Sequence, residues 1–142
     1  MSMSTIGVPL EGFGVYCRAA AAEGAVLLKN EGHMFPLKKE EMVSVFGRCQ
    51  FETYRSGTGS GGAVNVPYAV NIYDGMRESG SFTLNEELAD IYRAWLKDHP
   101  FDNGGGGWAA EPWHQKEMVI TEEIAAAAAE KSEKAIFIIG RN

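Results

Sequence analysis

The sequence predicts an α/β fold in which helices cover both faces of a mostly parallel sheet. Two short apolar runs, 42–47 (MVSVFG) and 135–140 (AIFIIG), have the length and β-branched content of buried strands. A helix-like segment precedes each run, and neither run alternates as a strand with one solvated face would. We therefore expect a three-layer α/β/α sandwich. Two strands are too few for a complete one, so the sandwich is expected to be incomplete in this chain.

Periodicity, caps and chain breakers predict the remaining elements. Proline interrupts helices, and glycine-rich stretches indicate loops. The sequence first predicts a helix over 11–24, followed by a segment 25–30 that either finishes this helix or forms a short strand. After the strand over 42–47 it predicts an irregular stretch over 48–66, a helix from Pro67 to Gly80, and a helix that starts at the capping-box pattern 83–86. An irregular loop over 98–118, a helix capped by Thr121 and the strand over 135–140 complete the prediction.

Single side chains receive specific roles in this scheme. Asn65 is expected to cap the second helix. Thr83 is expected to open the third as the first residue of a capping box with Glu86. Cys17 is expected to be a small buried core residue of the first helix.

Charge and composition exclude several classes of protein. The net charge of −6 argues against a nucleic-acid surface, because phosphate binding needs a basic patch, and it disfavours an anionic membrane. The sequence has no apolar run of about 18 residues for a spanning helix and no secretory signal, so a cytoplasmic location is expected. The two cysteines and three histidines show no disulfide framework or ligand spacing, so neither a metal nor a cofactor is expected.

The stretch 54–68 (YRSGTGSGGAVNVPY) raises the main functional question. Residues Gly57 to Gly62 match the G-x-G-x-x-G pattern of dinucleotide-binding loops. In such a fold the glycines follow the strand at once, whereas here they begin ten residues after Gly47. A phosphate-binding P-loop needs a lysine, and this stretch contains none. The spacing therefore argues against a nucleotide site.

Two interpretations of this stretch remain open from the residues alone. A strand-end loop rich in backbone N–H groups and hydroxyls suits the oxygen of a neutral polar ligand or a carboxylate. A mobile turn without a ligand is equally compatible with the composition.

Two groups of segments carry a resemblance to a known family. The first group is 21–30 (AAEGAVLLKN), 36–37 (PL) and 43–47 (VSVFG), and the second is 50–53 (QFET) and 57–61 (GTGSG). The first group resembles the start of the C-terminal α/β-sandwich domain of family 3 glycoside hydrolases, the β-glucosidases and their relatives. The second group is similar to the bacterial β-glucosidase branch of that family. The resemblance runs from about Arg18 to Asn142 and leaves the loop 98–118 unmatched.

The resemblance implies a role for the glycine stretch. In the family, the sandwich domain packs on a (β/α)8 barrel, and the serine of GTGSG crosses the interface to hydrogen-bond the sugar. By position that serine is Ser60, and Gly59, Thr58 and Arg55 belong to the same sugar-facing loop. The glycines would let the backbone approach the sugar closely.

The resemblance also implies that the catalytic carboxylates lie elsewhere. The barrel supplies an aspartate nucleophile in a Ser-Asp-Trp-like motif, which this sequence lacks. The sandwich supplies the acid/base glutamate in a Gly-Glu-x-x-Asp-Arg stretch, expected to follow Asn142. Residues 1–142 would thus form a partial sandwich domain without the barrel, inactive alone. Glu52 is the carboxylate expected near the sugar, in a structural role.

Trp108 and Trp113 are further candidates, in the loop 98–118. Aromatic rings stack well on sugar faces, so both could line the site. The alternative is that they anchor the loop to its own domain.

The sequence therefore predicts that the chain is part of a retaining β-glycosidase that acts on β-glucosides. The partner of this part would be the barrel domain of the same protein. The alternatives are a non-catalytic carbohydrate-binding or interaction module and a small nucleotide-binding protein. An exposed sheet edge also predicts self-association into a homo-oligomer.

Overall fold

A computed structural model describes residues 10–53, 68–106 and 110–140 of the chain. These residues divide into two compact units, one ending at Pro36 and one beginning at Leu37.

Between residues 10 and 36, the first unit contains the α-helix α1, Phe13–Glu23, and a turn of 3₁₀ helix, Glu31–His33. The backbone N–H of Gly24 caps it by donating to Ala20 O at 3.0 Å. The segment 25–30 forms neither a further helical turn nor a strand, so both alternatives predicted for it are wrong. Cys17 is exposed, and α1 contains no buried residue, so the predicted core position of Cys17 is wrong as well.

The second unit is built on a parallel sheet, which confirms the predicted fold class. Its strands are β1 (Met42–Phe46), β2 (Thr83–Leu84) and β3 (Lys134–Phe137), in the order β2-β1-β3. Both neighbours run parallel to β1, with Val43 opposite Leu84 on one side and Lys134 on the other. The sequence predicted β1 and β3, although β3 begins one residue earlier and ends three residues earlier than expected. The predicted burial of β3 is wrong, because its residues alternate between partly buried and exposed, and Phe137 is 64% exposed on an edge strand. β2 was not predicted.

Three helices surround this sheet: α2 (Ile72–Ser79), α3 (Glu86–Asp98) and α4 (Glu122–Lys131). Each begins after a side-chain cap that accepts a hydrogen bond from a backbone N–H three residues on. The caps are Asn71, Asn85 and Thr121.

Two of the predicted helix starts are wrong. The helix predicted from Pro67 begins at Ile72, because Asn71 is its cap, and Asn65 and Pro67 lie outside the described residues. The capping box predicted at Thr83 fails because Thr83 pairs with Met42 in the sheet. The Thr121 cap is confirmed.

The core lies on both faces of β1, because successive strand residues point to opposite faces. Val43 and Val45 pack with Tyr73 of α2. Phe46 packs on the other face with Ala128 of α4, and α3 contributes to both clusters. The arrangement is a helix–sheet–helix stack, and it leaves the carboxyl ends of β1 and β3 as a common edge.

Among the described residues, no helix is long and apolar enough to cross a membrane.

Candidate functional site

The carboxyl end of β1 turns sharply at Gly47. Its φ of +101° is strained for any other residue, and a Cβ there would lie 2.3 Å from the carbonyl oxygen of Ile138. The N–H of Ile138 donates to Phe46 O at 2.9 Å, and the N–H of Gly47 donates to the Tyr92 hydroxyl at 2.8 Å. Burial raises the pKa of Tyr92, so its phenol stays neutral here. The strand end is therefore held between β3 and α3.

One turn of 3₁₀ helix, Arg48–Gln50, follows and leads into the glycine stretch. The Thr53 hydroxyl donates to Cys49 O at 2.8 Å and accepts from the N–H of Ile72 at 3.0 Å. Thr53 therefore joins the start of the intervening chain to the first turn of α2. We call the chain from 54 to 71 the first loop. The residues on either side of it, Thr53 and Ile72, are joined by a hydrogen bond close to the turn that follows β1.

The predicted sugar-binding residues cannot all be placed. Arg55, Thr58, Gly59 and Ser60 lie outside the described residues, as does Trp108, so their assignments stay predictions. Trp113 is described, and 75% of its surface is exposed.

The chain from 99 to 118, which we call the second loop, is also tied at its base. Gln115 is 6% exposed and pairs with both backbone groups of Asp102, accepting from its N–H and donating to its carbonyl at 2.9 Å each. A Cβ on Gly104, which has φ +62°, would lie 1.8 Å from Ala110 O. This loop therefore needs glycine where its two arms meet.

The buried guanidinium of Arg48 joins the two loops. Arg48 is 2% exposed. Its Nε donates to Glu52 Oε2 at 2.9 Å, and its Nη2 donates to the same oxygen. Nη1 donates to Lys116 O, and Nη2 also donates to His99 O at 3.0 Å. One side chain thus contacts the entrance of the first loop and both arms of the second.

Aromatic rings complete the surroundings of this arginine. Its guanidinium carbon lies 5.4 Å from the Trp95 ring centre, at cation–π distance. The Trp95 ring stacks on His99, with centroids 4.2 Å apart and planes 9° apart. His99 Nδ1 lies 3.0 Å from Trp95 O. The Trp95 ring therefore covers one face of the guanidinium, and the His99 ring is stacked on Trp95.

The carboxylates at this edge already have partners. Glu52 forms the ion pair with Arg48. Glu117 accepts the backbone N–H of Arg48 at 2.9 Å and that of Met118 at 2.7 Å. These bonds give both groups structural roles, as predicted for Glu52. Within 10–53, 68–106 and 110–140, no cluster of histidine, cysteine and acidic side chains could hold a metal ion.

Sequence reasoning missed Arg48, Gln115 and Glu117. A signal existed for the first, because Arg48 follows the strand-ending glycine and stands four residues before Glu52. The other contacts join residues far apart in the chain, and no local pattern marks them.

Comparisons with known proteins agree on one family. Residues 25–142 match the model of the glycosyl hydrolase family 3 C-terminal domain. A β-glucosidase of Ruminococcus albus is 49% identical over 120 residues, which are 84% of this chain and 12% of that protein. β-Glucosidase A of Butyrivibrio fibrisolvens is 35% identical over 122 residues, 86% of this chain and 14% of that protein.

Solved structures give the same result. A β-glucosidase from Paenibacillus barengoltzii superposes with a TM-score of 0.92 at 64% identity, covering 100% of this chain and 15% of that one. β-Glucosidase 3B from Thermotoga neapolitana, in complex with glucose, superposes with a TM-score of 0.78 at 31% identity, covering 92% and 18%. The chain thus spans less than a fifth of the length of each of these relatives.

Proposed function

The chain belongs to glycosyl hydrolase family 3, and from that membership we propose that it is part of a retaining β-glycosidase that hydrolyses terminal β-linked glucosyl residues. The four relatives above are all named β-glucosidases. The chain matches only a small part of each relative. The role of this part within such an enzyme is therefore argued from the chain's own residues.

The observation that carries the proposal is the shared edge from which two glycine-rich loops depart. Thr53 ties the first loop beside β1, and Gln115 ties the second, with Arg48 between them. Ligands of open α/β folds bind outside the carboxyl ends of the strands. Two anchored loops at that edge are suited to hold a ligand between this domain and another.

In this proposal the first loop contacts the sugar. Ser60 donates or accepts a hydrogen bond with a sugar hydroxyl, and Thr58 and Gly59 bring the backbone close to the ring. Arg55 adds a charged donor at the same surface. Trp113, which is 75% exposed, is one candidate to stack on a sugar face, and Trp108, outside the described residues, is the other.

The chemistry itself is assigned to other parts of the protein. A retaining glycosidase needs two carboxyl groups roughly 5–5.5 Å apart, one a nucleophile and one an acid/base. The ion pair of Glu52 and the two backbone bonds of Glu117 leave neither group suited to these roles. We therefore propose that a barrel domain of the same protein supplies the nucleophile, that the acid/base lies outside these 142 residues, and that the isolated chain is inactive.

Expression of two proteins tests this function. The natural coding region around this sequence is cloned in full, and its product is compared with residues 1–142 alone on 4-nitrophenyl β-glucoside. We expect turnover by the full product and none by the isolated chain. A full product that binds glucose without hydrolysing any β-glycoside would instead support a carbohydrate-binding module.

A further inference from the structure

We propose that Arg48 is a positioning residue, which fixes Glu52 and Thr53, the residues that lead into the first loop, against the two described arms of the second loop. The inference rests on the proposed function, since the placement of Ser60 matters only if Ser60 contacts the sugar. It adds a residue that no sequence motif singled out.

The connection to the first loop passes through two side chains. Arg48 bonds Glu52 through Nε and Nη2, and Glu52 directly precedes Thr53. The Thr53 hydroxyl in turn accepts a hydrogen bond from the backbone N–H of Ile72 at 3.0 Å. Arg48 thus restrains the residue that brings the two ends of the first loop together.

The connection to the second loop reaches both of its arms. Nη2 donates to His99 O at 3.0 Å, before Asp102, and Nη1 donates to Lys116 O, after Gln115. The Asp102–Gln115 pair closes the loop one step further out. The second loop therefore cannot shift relative to the first without breaking a bond to this guanidinium.

The chemistry of the site favours arginine specifically. A guanidinium presents five donors in a planar fork and stays charged, whereas an ammonium is a compact, strongly hydrated point charge. Here three nitrogens serve one carboxylate and two carbonyls while the flat group covers Trp95. Lysine would keep the charge but could not make these bonds together.

A contact that holds substrate and transition state equally well lowers KM and leaves kcat unchanged, so its loss raises KM. Loosening the Arg48–Glu52 pair should therefore weaken sugar binding without removing any group that reacts. The defect should appear chiefly in KM and in the inhibition constant of glucose.

The test uses the full-length enzyme with the variants Glu52→Gln and Arg48→Lys. The control is Glu41→Gln, because Glu41 forms an ion pair with Lys134 at the opposite, amino end of the strands. Each protein is assayed for KM and kcat on 4-nitrophenyl β-glucoside, for inhibition by glucose, and for melting temperature. If Arg48→Lys does not fold, Glu52→Gln decides the outcome.

We expect KM and the glucose inhibition constant of Glu52→Gln to rise about tenfold, with kcat within about threefold of wild type. Glu41→Gln should leave both constants unchanged. Unchanged constants in Glu52→Gln, or an equal rise in Glu41→Gln, would overturn the role of Arg48, as would a loss confined to kcat.

A parallel Ser60→Ala variant separates this inference from the function beneath it. If Ser60→Ala weakens glucose inhibition and Glu52→Gln does not, only the positioning role of Arg48 is wrong. If Ser60→Ala has no effect, the proposed sugar-binding loop is itself wrong.

Discussion

The two ends of the sheet carry ion pairs of similar composition in different surroundings. At the amino end, Lys134 Nζ lies 2.9 and 2.8 Å from the two carboxylate oxygens of Glu41, and the side chains are 17% and 24% exposed. At the carboxyl end, the Arg48 side chain is 2% exposed and the Glu52 side chain is 24% exposed. The first pair joins the residue that precedes β1 to β3. The second lies within the turn that follows β1, and its arginine also reaches the second loop.

The difference lies in what else each cation contacts. Arg48 also binds two backbone carbonyls and lies over an aromatic ring. Losing it would leave three partly buried acceptors without a donor, and unsatisfied groups of this kind are costly. Lys134 forms its ion pair with a single carboxylate, and both side chains are partly exposed, so solvent weakens that pair. We conclude that the amino end contributes to strand pairing and the carboxyl end to the shape of the loops.

The largest expected effect comes from Gly47→Ala, which disrupts the turn at the carboxyl end of β1. The new Cβ would lie 2.3 Å from Ile138 O at φ +101°. We expect this domain to lose about 4 kcal/mol of stability, because strained φ and a backbone clash add. Thermal unfolding of the full-length protein measures the loss.

Gly80→Ala is the matched control for that variant. Gly80 has φ +60° but nothing within 4 Å of an added Cβ, so it should cost only about 1 kcal/mol. Equal destabilisation of the two variants would show that the contact with β3 does not constrain Gly47.

Arg48→Met is expected to have the next largest effect, a loss of about 3 kcal/mol of stability. It leaves Glu52 and two backbone carbonyls without their hydrogen-bond donor. Lys134→Met at the amino end should cost clearly less. Denaturant unfolding of both variants side by side gives the comparison, and a larger loss in Lys134→Met would reverse our assignment of the two ends.

The smallest effect is a pH dependence at the amino end. The hydrogen bonds from Lys134 and from the Lys38 backbone N–H lower the pKa of Glu41 below 4.5. A lowered pKa in the folded state adds stability above the unfolded value, and that stability is lost as the pH falls below about 4.5. Glu41→Gln should therefore lower the melting temperature at pH 7, and this difference from wild type should shrink as the pH falls below about 4.5.

A melting-temperature difference between wild type and Glu41→Gln that stayed constant from pH 7 to pH 3 would contradict this origin of the effect. Glu40→Gln is a suitable control, because Glu40 is an exposed neighbour on the same segment.

Local patterns predicted most of the sheet and one helix cap correctly. β1 and β3 are continuous apolar runs, and Thr121 is followed by an alanine-rich helix. β2 has only two residues, which is too short for any periodicity. Asn71 was missed because Pro67 offered a competing start for the same helix.

The site was less predictable than the sheet. The glycine stretch is visible in the sequence, but the hydrogen bonds of Arg48 that hold the residues next to it depend on contacts between distant parts of the chain. Arg48 meets Lys116 and His99 across 68 and 51 positions of the chain. Only the folded arrangement of β1, α3 and the second loop brings these groups together.

The most direct test of the central claim is the inhibition constant of glucose for Ser60→Ala in the full-length enzyme, beside Ser56→Ala in the same loop. If the first loop contacts the sugar through Ser60, that constant rises about tenfold in Ser60→Ala, as expected for the loss of a hydrogen bond to a polar ligand, and stays near wild type in Ser56→Ala. Equal constants in wild type and Ser60→Ala would contradict the account.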